Sequence, residues 1–140
     1  MKKVLAFIII STIILSFGTQ SLAMIEESPT SIIKPAYTYI SSFGAALEIN
    51  SIGVATCEGI MSHTLTDGTC ELVIELKKLD SNKNWDTIAT WTSTGLQKCA
   101  DYRYRAVSRG TYRVYVTAKV YDSSGNLVES QLVHSITDTY

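Results

Sequence analysis

The sequence predicts an all-β fold, a sandwich of about seven antiparallel strands. Apolar and polar residues alternate through most of residues 36–137, which is the period of half-buried strands. Clusters of Gly, Asn, Asp and Ser interrupt the alternation at the places where the chain must turn. No segment of this region has a helical period, which favours a sandwich over an α/β fold.

The N-terminus precedes this pattern and predicts export. Residues 1–3 carry two lysines, residues 4–17 are almost entirely apolar, and Ser21-Leu22-Ala23 places small residues before a cleavage point. These are the features of a secretory signal peptide over residues 1–23. Residues 24–35 hold two acidic residues and two prolines and predict a mobile leader. The expected location is extracellular, where disulfides persist and nucleotide cofactors are scarce.

Composition limits the classes of partner. Cleavage after Ala23 removes two of the 12 basic residues and none of the 13 acidic ones, which leaves a net charge of −3. A mildly acidic chain without a basic run gives no reason to expect nucleic acid or an anionic membrane as a partner. No second apolar run approaches the roughly 18 residues of a spanning helix. We expect a single-domain monomer without a cofactor and without membrane contact after signal cleavage.

The first three predicted strands each place apolar residues on one face. Ser51-Ile52-Gly53 separates the first strand from the second, and Thr66-Asp67-Gly68 separates the second from the third. The inward sets are Phe43, Ala45, Leu47 and Ile49; then Ala55, Cys57, Gly59 and Met61; then Leu72, Ile74 and Leu76.

The other four strands follow from the same pattern. The polar cluster 80–84 predicts a hairpin over residues 70–94. A fifth strand follows Gly95, and we expect Tyr102 and Tyr104 to face inward there, opposed by the neighbouring arginines. Residues 112–121 give the cleanest alternation, and 123–126 turn the chain into a last strand over 127–136.

The segment around Tyr112 predicts which kind of β-sandwich the chain forms. Gly110-Thr111-Tyr112-Arg113-Val114 resembles a tyrosine corner, in which a tyrosine at the start of the sixth strand hydrogen-bonds to the backbone upstream. This feature is typical of immunoglobulin-like and fibronectin type III-like domains. Val114 stands where an antibody domain has its second cysteine, so the antibody bridge is excluded. The predicted fold is therefore a seven-stranded antiparallel immunoglobulin-like β-sandwich.

Residues 37–135 also resemble a family of small secreted bacterial proteins. The resemblance is carried by the run 53–59, by Trp85 and Trp91, and by the run 110–114. It implies an immunoglobulin-like fold and no assigned activity.

Three cysteines lie in the mature region, and an odd number predicts one unpaired thiol. We expect a disulfide between Cys70, near the open end of the hairpin, and Cys99, where the chain crosses to the next strand. The alternative pairs Cys57 with Cys99, and a third possibility is no bridge. Cys57 otherwise reads as a free buried thiol. No spacing of Cys or His predicts a metal site.

Two sets of residues are candidate binding surfaces. Arg113, Tyr115, Lys119 and Tyr121 share the outward face of the sixth strand, where we favour cross-strand pairing over a binding face. Trp85 and Trp91 share strand parity and offer a platform for sugars if exposed, although packing in the core or at an edge is favoured, and a bulge would place one of them in the core.

Catalytic and metal-binding patterns are weak. Asp80 to Asp86 places oxygen ligands at alternate positions, but Trp85 stands where a calcium loop needs glycine, so a hairpin turn is favoured. His63 and His134 are the only histidines, and we expect both at the surface or at a strand rim. No Gly-x-Ser-x-Gly elbow accompanies them.

The sequence therefore predicts a secreted module that acts by non-catalytic binding or as an extracellular structural protein. Its expected partner is an unidentified extracellular protein or glycan. The alternatives are a carbohydrate-binding module that uses an exposed tryptophan, a small hydrolase that uses a histidine, and a surface protein that assembles through the unpaired thiol.

Overall fold

The computed structural model of the protein describes residues 37–140, which form strands and turns without a helix. The signal peptide expected at 1–23 and the leader expected at 24–35 lie outside the described residues. The strands are β1 (Ile40–Ile49), β2 (Val54–His63), β3 (Thr69–Leu79), β4 (Trp85–Gly95), β5 (Lys98–Ala106), β6 (Thr111–Tyr121), β7 (Leu127–His134) and β8 (Asp138–Thr139).

The strands form two antiparallel sheets. The smaller sheet has the order β1-β2-β5, and the larger has the order β4-β3-β6-β7, with the short β8 paired to β6. The prediction of an all-β fold built from two packed sheets is confirmed. β8 lies beyond the expected end of the domain at residue 137, where Tyr140 and Gly110 exchange two backbone hydrogen bonds of 3.0 Å.

The core lies between the sheets and is built from alternate residues, as the period of two predicts. β3 and β6 are central strands of the larger sheet, so every second side chain on them is fully enclosed. The buried apolar residues are Ile40, Leu47, Ala55, Cys57, Met61, Cys70, Leu72, Ile74, Leu76, Cys99, Tyr112, Val114, Val116, Ala118 and Val120.

The sheets approach closely at Gly59, in the middle of β2. A Cβ atom at this position would lie 2.9 Å from two side-chain carbons of Ile74, on β3 of the facing sheet. Ile74 is fully buried and has no room to move aside. Glycine at position 59 therefore allows the two central strands to pack against each other.

Two hairpin turns use the same hydrogen bonds. In each, an aspartate accepts the backbone N–H of the asparagine four residues later, at 2.6 Å for Asp80 and Asn84 and 2.8 Å for Asp122 and Asn126. These bonds are the main reason that the pKa of Asp80 lies below its ordinary value. The oxygens of the Asp80 segment thus hold a turn together, in agreement with the hairpin expected there.

β1 is tied to the larger sheet by carboxylates at both of its ends. The Glu129 carboxylate accepts the backbone N–H groups of residues 38, 39 and 40 at 3.0, 2.7 and 2.9 Å. At the other end, Asp138 accepts the N–H of Ile49 at 2.7 Å. Glu129 is the register partner of buried Val120, so it lies on the inner side of edge strand β7.

The Tyr112 hydroxyl donates to the backbone carbonyl of Ser108 at 2.6 Å. The donor begins β6 and the acceptor lies four residues upstream, as in a tyrosine corner. Tyr112 is itself buried, so the bond satisfies a hydroxyl that water does not reach. The connection from β5 to β6 is fixed by this contact.

β5 faces the opposite way from the prediction. Cys99 is buried, whereas Tyr102 and Tyr104 are exposed on the outer side of the smaller sheet. Asp101 and Arg103 lie on the same side as Cys99, where they form an ion pair of 2.7 Å. An edge strand accommodates this pair on its inner side because solvent enters at the open rim.

The close approach of the sheets gives a matched pair of substitutions. Gly59→Ala should lower the free energy of unfolding by about 1–3 kcal/mol, because the new methyl group overlaps Ile74. Gly44→Ala, also within a strand, meets Ile60 only at 3.5 Å and should change stability by less than about 1 kcal/mol. Urea denaturation measures both, and equal losses would refute the packing role of Gly59.

The Glu129 clamp predicts a dependence of stability on acid. Partial burial alone would raise the pKa of Glu129, but the three backbone N–H groups outweigh it and lower that pKa below its ordinary value. A lowered folded-state pKa stabilises the protein above the ordinary glutamate pKa of about 4.3, and this contribution is lost as pH falls further. Glu129→Gln should lower the free energy of unfolding by about 1 kcal/mol at neutral pH, allowing for solvent screening. It should also make the loss of stability between pH 7 and pH 3 less steep.

Denaturation midpoints between pH 7 and pH 3 measure this effect. Glu48→Gln, at an exposed position of β1, is the control and should leave the dependence of the midpoint on pH unchanged. If the midpoints of Glu129→Gln fall with pH as steeply as those of the wild type, the clamp is contradicted.

Candidate functional site

A bulge in β4 places the two tryptophans on opposite faces. Leu76 on β3 pairs with Ala89 but the next residue, Lys77, pairs with Thr87, so Ile88 is an extra residue in β4. Trp91 therefore faces the core, and Trp85 faces outward. The expectation that they share one face is wrong, because an inserted residue reverses strand parity.

Two residues of the predicted binding face, Arg113 and Tyr115, meet Trp85 on the outer side of the larger sheet. Arg113 lies over the ring of Trp85 at 4.8 Å, and Tyr115 contacts Trp85 with ring centroids 6.4 Å apart. Lys77 lies over the ring of Tyr115 at 4.9 Å, and His134 packs against that ring at 5.5 Å. The guanidinium Nε of Arg113 is buried and makes no hydrogen bond. The guanidinium group instead makes a cation–π contact with the indole ring of Trp85.

The other two residues lie further along β6. Lys119 binds Glu71 at 2.6 Å, and this hydrogen bond is the main reason that the pKa of Lys119 is raised. Tyr121 ends the strand opposite Thr69. Apart from His134, which is exposed, these outward side chains are half-buried against each other. The face is thus closed by its own cation–aromatic and ionic contacts, which supports the cross-strand interpretation.

The outer side of the smaller sheet carries the exposed aromatic rings. Tyr102 is 53% exposed, Tyr104 is 70% exposed, and Ile60 on the neighbouring strand β2 is 40% exposed. Between and beside them lie small residues. We call this surface the tyrosine face, and it comprises Gly44, Ala46, Thr56, Glu58, Ile60, Ala100, Tyr102 and Tyr104.

The small residues make the tyrosine face shallow and flat. A depression of about 140 Å³ lies on one side of Ile60, lined by Ala46 and Glu58 among others. A second of about 240 Å³ lies on the other side, where Ser42, Ser62 and Ala100 contribute. Neither is a deep pocket, so the surface suits an extended ligand better than a compact one.

Polar groups are interspersed with the rings. Glu58 and Tyr102 are direct register partners, and their hydrogen bond raises the pKa of Tyr102. At the far end of the face the hydroxyls of Ser42 and Ser62 are 2.6 Å apart. Glu58 is the carboxylate nearest the two rings, and the next on this side is Glu48.

Sequence reasoning missed the tyrosine face because it turned β5 the wrong way. The alternation in β5 is clear, but both of its faces carry long side chains, Tyr on one and Asp or Arg on the other. Cys99 is the residue that decides the orientation. Its inward parity, read together with the small Ala100 beside it, was the available signal.

The histidines have structural contacts. Both ring nitrogens of buried His63 are occupied by backbone groups, since Nε2 binds the Leu96 carbonyl and Nδ1 accepts the Leu65 N–H. His63 is therefore at the end of β2, as expected, but it is buried there rather than exposed at the surface. Nδ1 of His134 lies 3.0 Å from the carbonyl of Ser135. Within residues 37–140, no three His, Cys, Asp or Glu side chains are grouped to hold a metal.

The three cysteines are free thiols in this structure, all of them buried. The thiol of Cys99 donates to the backbone carbonyl of Cys70 at 3.3 Å, so the chain brings these two residues together across the sheets. Burial, followed by the effect of the Cys70 thiol, raises the pKa of Cys99 to about 12. Burial alone raises the pKa of Cys57 to about 12.

The alternative pairing of Cys57 with Cys99 does not fit. Cys99 pairs with Met61, and Cys57 lies four residues further along β2, which is about 13 Å at the rise of a strand. A disulfide needs Cα atoms less than about 7 Å apart.

Two comparisons with known proteins, one of family models and one of curated sequences, give no match. No protein-family model matches the chain, and a search of curated proteins found no similar sequence. In the part of the chain described, there is also no helix of the length and hydropathy needed to cross a membrane. The functional argument therefore depends on the two outer faces themselves.

Proposed function

We propose that this protein is an exported, immunoglobulin-like module that acts by non-catalytic binding through its tyrosine face. The observation that carries the proposal is the exposure of Tyr102 and Tyr104, 53% and 70%, on one flat side of one sheet. Exposed aromatic rings grouped on a surface are costly to keep in water and are typical of contact sites.

The immunoglobulin-like assignment rests on two features. Seven main strands divide into a sheet of three and a sheet of four, with the last short strand paired to β6. The hydroxyl of Tyr112 binds the carbonyl of Ser108, which is the contact of a tyrosine corner. The resemblance to small secreted bacterial proteins agrees with this assignment and adds no activity.

Binding without catalysis is favoured because the candidate catalytic groups are committed elsewhere. The nitrogens of His63 hold backbone groups, and the thiols of Cys57 and Cys99 have pKa values of about 12, so both stay protonated at neutral pH. Glu58 lies on the tyrosine face without a second carboxylate or a histidine as its register partner.

The tyrosine face predicts the effect of a double substitution. Tyr102→Thr with Tyr104→Thr should reduce binding to the insoluble surface material of the producing cell at least about tenfold, because the aromatic contact area is lost. Sedimentation of the labelled protein with that material measures binding. Thermal denaturation should stay within a few degrees of the wild type, since both rings are exposed.

The matched control is Leu132→Thr, which removes an exposed apolar side chain from the outer side of the larger sheet. It should leave binding unchanged. Equal binding by the double variant and the wild type would refute the proposal and favour a purely structural role.

We also propose that Cys70 and Cys99 form a disulfide after export, with Cys57 left as the free thiol. Exchange with an external disulfide would remove both thiol protons, pass two electrons to that disulfide and release it as two thiols. The bridge would close a loop of about 30 residues and stabilise the fold by about 3–4 kcal/mol in the chain-entropy model. Because both thiols are buried in the folded protein, the bridge must form during folding.

Alkylation of the secreted, denatured protein tests this pairing. One thiol, Cys57, should react before reduction, and three should react after it, as counted by mass spectrometry. Three reactive thiols before reduction, or a reactive Cys99, would exclude the bridge.

A further inference from the structure

The geometry of the tyrosine face points to its ligand: we infer that it binds an uncharged polysaccharide chain, with sugar rings stacked on Tyr102 and Tyr104. This inference rests on the proposed function, since it names the ligand of the same face. Its support comes from ring spacing, from the polar groups beside the rings and from the charge of the surface.

The two rings are placed in series on one strand. Tyr102 and Tyr104 are two residues apart on β5, so they project from the same side at a spacing of about 7 Å. Along β5 the line of the rings continues into the small Ala100, and Thr56 beside Tyr104 is also small, whereas Glu58 lies directly beside Tyr102. A flat ring system can therefore stack on the tyrosines with Glu58 as its polar neighbour.

Side chains that can form hydrogen bonds with sugar hydroxyls lie beside the two rings. The Glu58 carboxylate lies opposite Tyr102 and Thr56 lies opposite Tyr104, so each ring has an oxygen-bearing partner on β2. Ser42 and Ser62 continue the polar groups beyond Ile60. Carboxylate and hydroxyl oxygens accept and exchange hydrogen bonds with sugar hydroxyls, whereas an apolar protein surface would leave them unpaired.

The charge of the tyrosine face favours an uncharged polysaccharide as its ligand. Glu58 lies in the middle of the face and Glu48 lies at its edge, and the cation on this side, Lys98, is at the opposite end of β5. An acidic polysaccharide would bring negative charge to the Glu58 carboxylate. A second copy of this chain, docked about a two-fold axis through the face, would bring two Glu58 carboxylates together.

The experiment uses the full mature protein and the delipidated, insoluble surface material of the producing cell. One sample of the material is treated with periodate, which cleaves sugar rings at vicinal diols, and another is treated with protease. We expect periodate to reduce binding at least about tenfold and protease to leave it within about twofold. Loss after protease and not after periodate would overturn the inference in favour of a protein ligand.

Three variants separate this result from the proposed function. Tyr102→Phe with Tyr104→Phe keeps the rings and should retain binding within about fivefold, whereas the Thr pair should lose it. Glu58→Gln keeps the shape of the side chain and removes its charge, and should bind the neutral chain within about tenfold of the wild type. If the Thr pair binds like the wild type, the tyrosine face is not the site and the proposed function fails as well.

Salt provides the test of charge. Binding to a neutral chain should differ by less than about twofold between 0.05 M and 1 M sodium chloride, because no ion pair is screened. Soluble cellohexaose and chitohexaose serve as neutral competitors, and polygalacturonate as the acidic one. Strong salt dependence, or competition by polygalacturonate alone, would overturn the assignment of an uncharged ligand.

Discussion

Contact between Ile74 and the bare backbone at Gly59 sets the separation of the two sheets, and the rest of the architecture depends on it. Gly59 is in the central strand of the smaller sheet and Ile74 is in a central strand of the larger one. Because the Ile74 side chain packs directly against the backbone of Gly59, the buried residues of both sheets close around this contact. Dense packing of this kind fills the space between the sheets, and the candidate contact surfaces described above lie on their outer faces.

The two outer faces have opposite character. On the larger sheet, Arg113 and Lys77 lie over aromatic rings and Lys119 binds Glu71, so the polar and aromatic groups already have partners. On the smaller sheet, Tyr102 and Tyr104 keep most of their ring area in water. Association with a partner would bury that area without first breaking internal contacts. Aromatic residues thus stabilise the fold on one side and remain exposed on the other.

Much of this fold was predictable from the sequence, because the apolar alternation in residues 72–76 and 112–120 fits a β-strand with one buried face and no other element. The bonding of Tyr112 to the upstream backbone also followed from its place after a glycine. Three features were harder to predict. The position of the extra residue Ile88, which reverses the parity of β4, has no compositional mark. β5 has long side chains on both faces, so its buried side is indicated chiefly by the inward parity of Cys99.

Glu129 is the third feature, since an inward carboxylate contradicts the rule that charged residues face solvent. Its carboxylate is stable in this position because it accepts the backbone N–H groups of residues 38–40. These donors lie about 90 residues away in the chain, so the local sequence does not indicate them. The candidate site was missed for the same reason as β5. Long-range pairing, which the local pattern does not encode, decides which residues are offered to a ligand.

The carboxylates at the two ends of β1 have a consequence for the order of assembly. Glu129 and Asp138, which attach β1 to the opposite layer, each follow the β1 residue they bind by 89 positions in the chain. During synthesis β1 can therefore pair with β2 well before either carboxylate is available. Attachment of both ends of β1 to the larger sheet waits for these two residues.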